Sequence, residues 1–205
     1  MSLRDATDLF SEWADKGKDR GMEKGHANSV HEMLKIADLP RKSNFTAIDV
    51  GCGNGWVCRL IGEDDFCSRI VGVDGSQKMV EKAKSLDADG EYYVAKLPHW
   101  KPDTTFDLIH SMEFLYYLKE PEKMLKIFHD IWLKSGGMAV IGIDHYLENE
   151  DSLDWAEALN VHMSTRSEKQ WEKAMLDAGF VNVSLHRVGV KDGFVGTLAM
   201  VGHKS

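Results

Sequence analysis

The chain has 205 residues, 43% of them hydrophobic and 28% charged, with a formal net charge of −8. That length suits one domain with a small decoration, and the composition is that of an ordinary globular protein, which excludes disordered and membrane-spanning classes. The negative charge argues against a protein that holds nucleic acid through its phosphates.

No apolar run approaches the roughly 18 residues of a spanning helix, and the first ten residues are charged too early for a secretory signal. A cytoplasmic location is therefore expected. Two amphipathic stretches, residues 3–14 and 27–39, flank a segment holding Gly17, Gly21 and Gly25, and both should pack over the open end of the main body. In that segment Lys16, Lys18, Arg20 and Lys24 are interleaved with Asp15, Asp19 and Glu23, the pattern of a solvated face. A polar patch follows at 41–44. From residue 45 onward short apolar runs alternate with helical stretches. The runs FTAIDV (45–50), RIVGVD (69–74), EYYVA (91–95), FDLIHS (106–111) and GMAVIGI (137–143) suit strands buried on both faces. Helices are expected over 54–62, 76–86 and 122–134, the last starting after Pro121 and stopping at Gly136-Gly137. Strand, helix, strand in succession predicts a parallel sheet with right-handed crossovers. Beyond a helix ending at Ala178-Gly179, VNVSLHRV and GFVGTLAMVG read as a terminal hairpin, with Gly189, Gly193 and Gly196 at turns or a bulge.

The strongest chemical signal is AIDVGCGNGW, an apolar strand ending near Asp49, with Gly51, Gly53 and Gly55 just before a helix. Such a turn lets a ligand approach bare backbone N–H groups at a helix N-terminus. Twenty-three residues after Gly51 the next strand ends in Asp74, where a carboxylate can accept both hydrogen bonds of a ribose diol. Together they point to an adenosine-containing cofactor. The pattern is GxGxG; the dinucleotide fingerprint GxGxxG would need a small residue where Trp56 stands, and the Asp49 carboxylate would repel a pyrophosphate but suit an α-ammonium group. No GK[ST] follows, which excludes a P-loop. Cys52, Cys58 and Cys67 lack paired CxxC spacing, and the nine histidines show no HExxH, so no metal site is expected.

At this point AIDVGCGNG, VGVDGSQKMVEKAK, LPHWKPDTTFDLIHSMEFLYYL and LKSGGMAVIGI resemble the successive motifs of class I S-adenosylmethionine-dependent methyltransferases, over roughly residues 45–145. The flanks WADKGKDRGMEKGH and HYLENEDSLDW are similar, more loosely, to a small-molecule branch of that superfamily. The resemblance implies an α/β, Rossmann-like seven-stranded mixed sheet in the order 3-2-1-4-5-7-6, flanked by helices. It would comprise a helical cap (1–44) acting as a lid, a cofactor-binding core (45–145), and a lid insertion, helix and hairpin (146–205). It also implies S-adenosyl-L-methionine as cofactor and S-adenosyl-L-homocysteine as product, held by Asp49, Val50, Gly51, Cys52, Gly53, Asn54 and Gly55, then by Asp74, Gly75, Ser76 and Met79, and further by Ala95, Lys96, Leu97, Ser111 and Met112. The matching stretch carries Ala95-Lys96 where the family usually has an acidic residue for the adenine.

Methyl transfer from a sulfonium is an in-line displacement that mainly needs positioning, so a catalytic base is optional. Candidates are Glu113, Tyr117, His26 and His145, each with a bland alternative as a cap, core filler or hinge residue. Trp13, Met22, His26, Tyr117, Tyr146 and Trp155 are candidates for the acceptor wall, and Cys52 reads as loop packing. SMEFLYYL replaces the Asn/Asp-Pro-Pro-Tyr/Phe run of amino-group base methylases, and Ser111 stands where magnesium-dependent enzymes place a carboxylate. The sequence therefore predicts metal-independent methyl transfer to a small molecule, with no nucleic-acid or membrane partner. A nicotinamide-dependent oxidoreductase and a non-catalytic module binding the methyl donor or its product remain alternatives. A pocket lined by Trp13, His26, Tyr117 and Tyr146 would favour the enzyme over the binder.

Overall fold

The computed structural model describes residues 2–37 and 43–205; the expected end of the second helix at Leu39 and part of the polar patch at 41–44 lie outside them. Each apolar run after residue 45 forms a strand: β1 (Phe45–Val50), β2 (Cys67–Asp74), β3 (Glu91–Val94), β4 (Phe106–Met112) and β5 (Leu133–Ile143). They pair in parallel, and the hairpin strands β6 (Val181–Val188) and β7 (Thr197–His203) join antiparallel, giving the order β3-β2-β1-β4-β5-β7-β6. Central strands buried on both faces explain the continuous apolar runs: Ala47, Ile48 and Val50 of β1 and Leu108 and Ile109 of β4 are fully enclosed.

The expected helices are α3 (Trp56–Gly62), α4 (Gln77–Leu86) and α5 (Pro121–Ile127), with α6 (Trp155–Leu159) and α7 (Glu168–Ala178) further on. The helix after Pro121 does not run to residue 134. It loosens into a π-helical turn over Phe128–Trp132, and β5 begins at once at Leu133. The two residues that read as a helix stop lie inside the strand: pairing shifts from Phe106↔Leu133 to Leu108↔Met138, and Gly136, at φ 78, absorbs the extra residues. Trp132 and Phe128, both fully buried, tie this turn to the core. Helix α7 starts with a full capping box, Ser167 with Gln170, worth about 1 kcal/mol.

At the N-terminus α1 (Ala6–Asp15) and α2 (Asp19–Ile36) replace the expected pair. Gly21 and Gly25 do not separate the helices; both lie inside α2, and only Gly17, at φ 67, occupies the turn. Asp19 is not on a solvated face either. It is buried at the start of α2, where it pairs with Lys82 and accepts a hydrogen bond from Asn54 Nδ2 at 2.9 Å. α1 is fastened to α4 by the Ser11 and Ser76 hydroxyls, 2.8 Å apart, and by the Asp15–Lys78 ion pair. Among the described residues no helix is long and apolar enough to cross a membrane.

Candidate functional site

In a parallel sheet the strand order reverses between β1 and β4, and the chain leaves a crevice at the C-terminal strand ends there. A cavity of about 250 Å³ occupies that crevice. Its floor comes from the residues that follow each strand: Asp49, Gly51, Cys52 and Gly53 from β1, Asp74 and Gly75 from β2, Ala95, Lys96 and Leu97 after β3, and Met112 and Glu113 at the end of β4. Thr7, Phe10, Asp19, Met22 and His26 of α1 and α2 close it from above.

The glycine turn is built for a close ligand. Gly53 has φ 51, a left-handed conformation that costs an ordinary side chain, and a Cβ added there would meet nothing within 4 Å. At Gly51 the constraint is contact instead, because a Cβ would fall 2.8 Å from that of Phe114. Asp74 receives the Gly53 amide on Oδ2 at 2.9 Å and the Ser76 amide on Oδ1 at 2.7 Å. It thus binds the loop together as well as facing the cavity. Each oxygen keeps a second lone pair, which suits a ribose diol. Burial raises the Asp74 pKa despite these two amides. Asp49 is also buried; its Oδ1 lies 2.7 Å from His110 Nδ1, and the far nitrogen of that ring, Nε2, has no partner. No motif marks His110, which lies within β4 and meets Asp49 only through the β1–β4 pairing. Open space at the Gly53 turn, a two-acceptor carboxylate at Asp74 and the carboxylate of Asp49 fit S-adenosylmethionine, with its ribose diol and ammonium group.

Of the residues expected to hold the cofactor, four stand off the cavity lining. Val50 is core, Ser111 donates to the Val50 carbonyl at 2.8 Å, and Gly55 caps α3 against the Tyr92 ring. Ser76 caps α4 by accepting from the Met79 amide at 3.3 Å. Asn54 and Met79 line the cavity as expected. The Cys52 thiol is buried against Cys58, which together with burial pushes its pKa well up and leaves it a packing group.

Of the acceptor-side candidates, Met22, His26, Glu113 and Tyr117 line the cavity. The rest are engaged elsewhere. His145 is fully buried, with Nδ1 2.9 Å from the Ser152 carbonyl oxygen and Nε2 2.8 Å from Thr165 Oγ1, and burial lowers its pKa. The Tyr146 hydroxyl donates to the Gly196 carbonyl at 2.8 Å. Trp155 packs 6.3 Å from the His145 ring, and Trp13 lies edge-on to Phe10, so that Phe10 presents the face to the cavity. Asp144, which the sequence reading passed over, lies behind His26, with Oδ2 3.4 Å from His26 Nε2. Among the described residues His26, Glu113 and Asp144 are the one group of possible metal ligands, their donor atoms within 4.8 Å of one another.

Comparison with known proteins bears on this geometry. A methyltransferase-domain family model matches residues 3–185. A trans-aconitate 2-methyltransferase of Escherichia coli (strain 55989 / EAEC) is 27% identical over 113 residues, 55% of this chain and 45% of the relative; the chain thus spans about half the length of the curated relatives it matches. A chain in the complex of the Haloferax volcanii Trm112 methyltransferase activator with a methyltransferase is 28% identical, with a TM-score of 0.83 over 98% of this chain and 99% of that one. The DhpI complex with S-adenosylhomocysteine, at 14% identity and a TM-score of 0.73 over 98% of this chain and 96% of that one, shares the fold. The matched span takes in both the glycine turn and Asp74, and the chain belongs to the methyltransferase-domain family, the class I enzymes whose cofactor is S-adenosylmethionine.

Proposed function

We propose that this protein transfers the methyl group of S-adenosylmethionine to a small-molecule acceptor without a metal ion. The observation that carries the reading is that one cavity is lined both by Gly53, Asp49 and Asp74 and by Met22, His26, Glu113 and Tyr117. Asp74 and the Gly53 turn would hold the donor, and α1 and α2 would exclude water from the transfer. The donor supplies an activated methyl group when bound. The chain's own task is to hold the acceptor's nucleophile in line with it.

Independence of metal is supported by the hydrogen bonds of the one candidate ligand group. Glu113 Oε1 accepts from the Asp144 amide and Oε2 from the Tyr116 hydroxyl at 2.6 Å; Asp144 Oδ1 accepts from the Thr197 hydroxyl at 2.6 Å. Each of these three oxygens has a protein donor without a cation. His26, Glu113 and Tyr117 on the wall of the same cavity favour an enzyme over a simple binder, and the buried Asp49 disfavours a dinucleotide's pyrophosphate. The three free cysteines suit a cytoplasmic setting. Likeness to the Haloferax chain along nearly its whole length supports pairing with a Trm112-type activator protein.

The test is incubation of the protein with labelled S-adenosylmethionine and metabolite pools, with and without a chelator. Labelled small-molecule product that survives the chelator is expected. Label in macromolecules alone, or activity abolished by the chelator and restored by a divalent cation, would overturn the reading. Co-elution with a Trm112-type protein tests the pairing.

A further inference from the structure

Glu113 and His26 line the cavity and, with the buried Asp144, form a partly buried polar cluster. Glu113 directly follows β4 at φ 56, an uncommon conformation for a residue with a side chain, held by the hydrogen bonds that its carboxylate accepts from the Asp144 amide and Tyr116. Each of its oxygens retains a lone pair, and the residue lines the cavity. Asp144, at the end of β5, is fixed by Thr197, whose hydroxyl oxygen also lies 2.8 Å from that of Ser29.

We propose that Glu113 is the general base of the transfer, positioned and tuned by the His26–Asp144 pair, and that its acceptor is a compact, largely apolar molecule whose nucleophile is a single N–H or O–H group. The proposal rests on the methyl-transfer reading above. In the step, the bond between the acceptor's nitrogen or oxygen and the methyl carbon forms as the carbon–sulfur bond breaks. The electron pair of that bond stays on sulfur, turning the sulfonium into a neutral thioether, and the acceptor's proton passes to the Glu113 carboxylate.

The walls set the acceptor class. Phe10, Met22, Phe114, Tyr117 and Leu118 line the cavity together with Glu113 and His26, and among the described residues no arginine does. Lys96 is exposed and 3.3 Å from Asp5. His26 already faces Asp144. A polycarboxylate would bring several charges into this wall with nothing to pair them, at a steep desolvation cost.

The charged and titratable groups facing Glu113 are His26 from α2, Asp144 from the end of β5, and Tyr116 and Tyr117 from its own segment. Burial, then the Asp144 charge, pushes the Glu113 pKa up to about 8, against the opposing pull of His26. Burial resists the charged form of His26, but Asp144 and Glu113 outweigh it and raise its pKa. A base acts best when its pKa lies near the working pH. The transfer rate should therefore rise as pH increases through about 8 and then level, as Glu113 loses its proton.

Two readouts test this. In protein labelled with ¹³C at the glutamate δ-carbon and saturated with S-adenosylhomocysteine, Glu113 should titrate at about 8, well above the ordinary carboxylate range. Asp144→Asn should lower that pKa while leaving cofactor affinity unchanged. In the second, metabolite extract separated by ion exchange is methylated with labelled donor, and product should appear in the neutral or cationic fraction. Glu113→Gln should slow its formation by about 10²–10⁴-fold and remove the alkaline rise, with partial recovery in Glu113→Asp. Ordinary titration of Glu113, full activity of Glu113→Gln, product confined to the polyanionic fraction, or a stoichiometric divalent ion at His26, Glu113 and Asp144 would overturn the proposal. Failure of the parent protein to bind S-adenosylhomocysteine would instead count against the reading on which it rests.

Discussion

Replacing Asp74 by Ala removes the carboxylate proposed to accept from the ribose, and the general strength of such bonds sets the size of the effect. A hydrogen bond to a charged group contributes about 1.5–3 kcal/mol, so cofactor affinity should fall by about 10- to 150-fold, at about 1.4 kcal/mol per tenfold. The same change frees the Gly53 and Ser76 amides, now held at 2.9 and 2.7 Å. Part of the loss will therefore come from a looser turn. Calorimetric titration with S-adenosylhomocysteine measures the total, and thermal unfolding of the ligand-free variant measures the share due to the turn. An unchanged affinity would refute the reasoning: Asp74 would then serve only to tie the loop, and the ribose would have to be placed elsewhere.

Gly75→Ala should loosen the α1 cover, because the new Cβ would fall 2.5 Å from Thr7 Cγ2. Overpacking of this kind costs about 1–3 kcal/mol, and adding Thr7→Ser, which removes the obstructing methyl, should restore cofactor affinity measured by calorimetry. Thermal stability should fall as pH rises through about 8, because Glu113 holds a proton in the folded protein that the unfolded chain releases at ordinary carboxylate pH. His26 acts in the same direction, since its raised pKa stabilises the fold only while the ring is charged. Glu113→Gln should flatten the profile in calorimetric melts; an identical slope in the variant would remove Glu113 as its source.

The sheet was legible because its central strands are buried on both faces, so FTAIDV and FDLIHS are short, mostly apolar runs rather than strict alternations. The α5–β5 junction was not, because Gly136-Gly137 punctuates a bulge as readily as a helix end, and only the pairing of β4 with β5 distinguishes them. Likewise the glycine turn and Asp74 could be read from spacing along the chain, whereas Asp19, His110 and Asp144 acquire their roles from partners far away in sequence. His110 reaches Asp49 across neighbouring strands, and Asp144 reaches His26 between β5 and α2. The aromatic candidates erred for a related reason. Trp13, Tyr146 and Trp155 stand in the right segments, but which face of a helix or loop turns inward is set by packing, and there Phe10 and Phe114 took the cavity instead.

The central claim is that the crevice beside β1 and β2 is a methyl-donor site. Its most direct test is calorimetry of the purified protein with S-adenosylmethionine, S-adenosylhomocysteine and a nicotinamide dinucleotide under identical conditions. Stoichiometric binding of the first two and none of the third is predicted, since Asp49 is buried at the turn that a pyrophosphate would have to cross. Tight binding of the dinucleotide with no response to either sulfur compound would contradict the account.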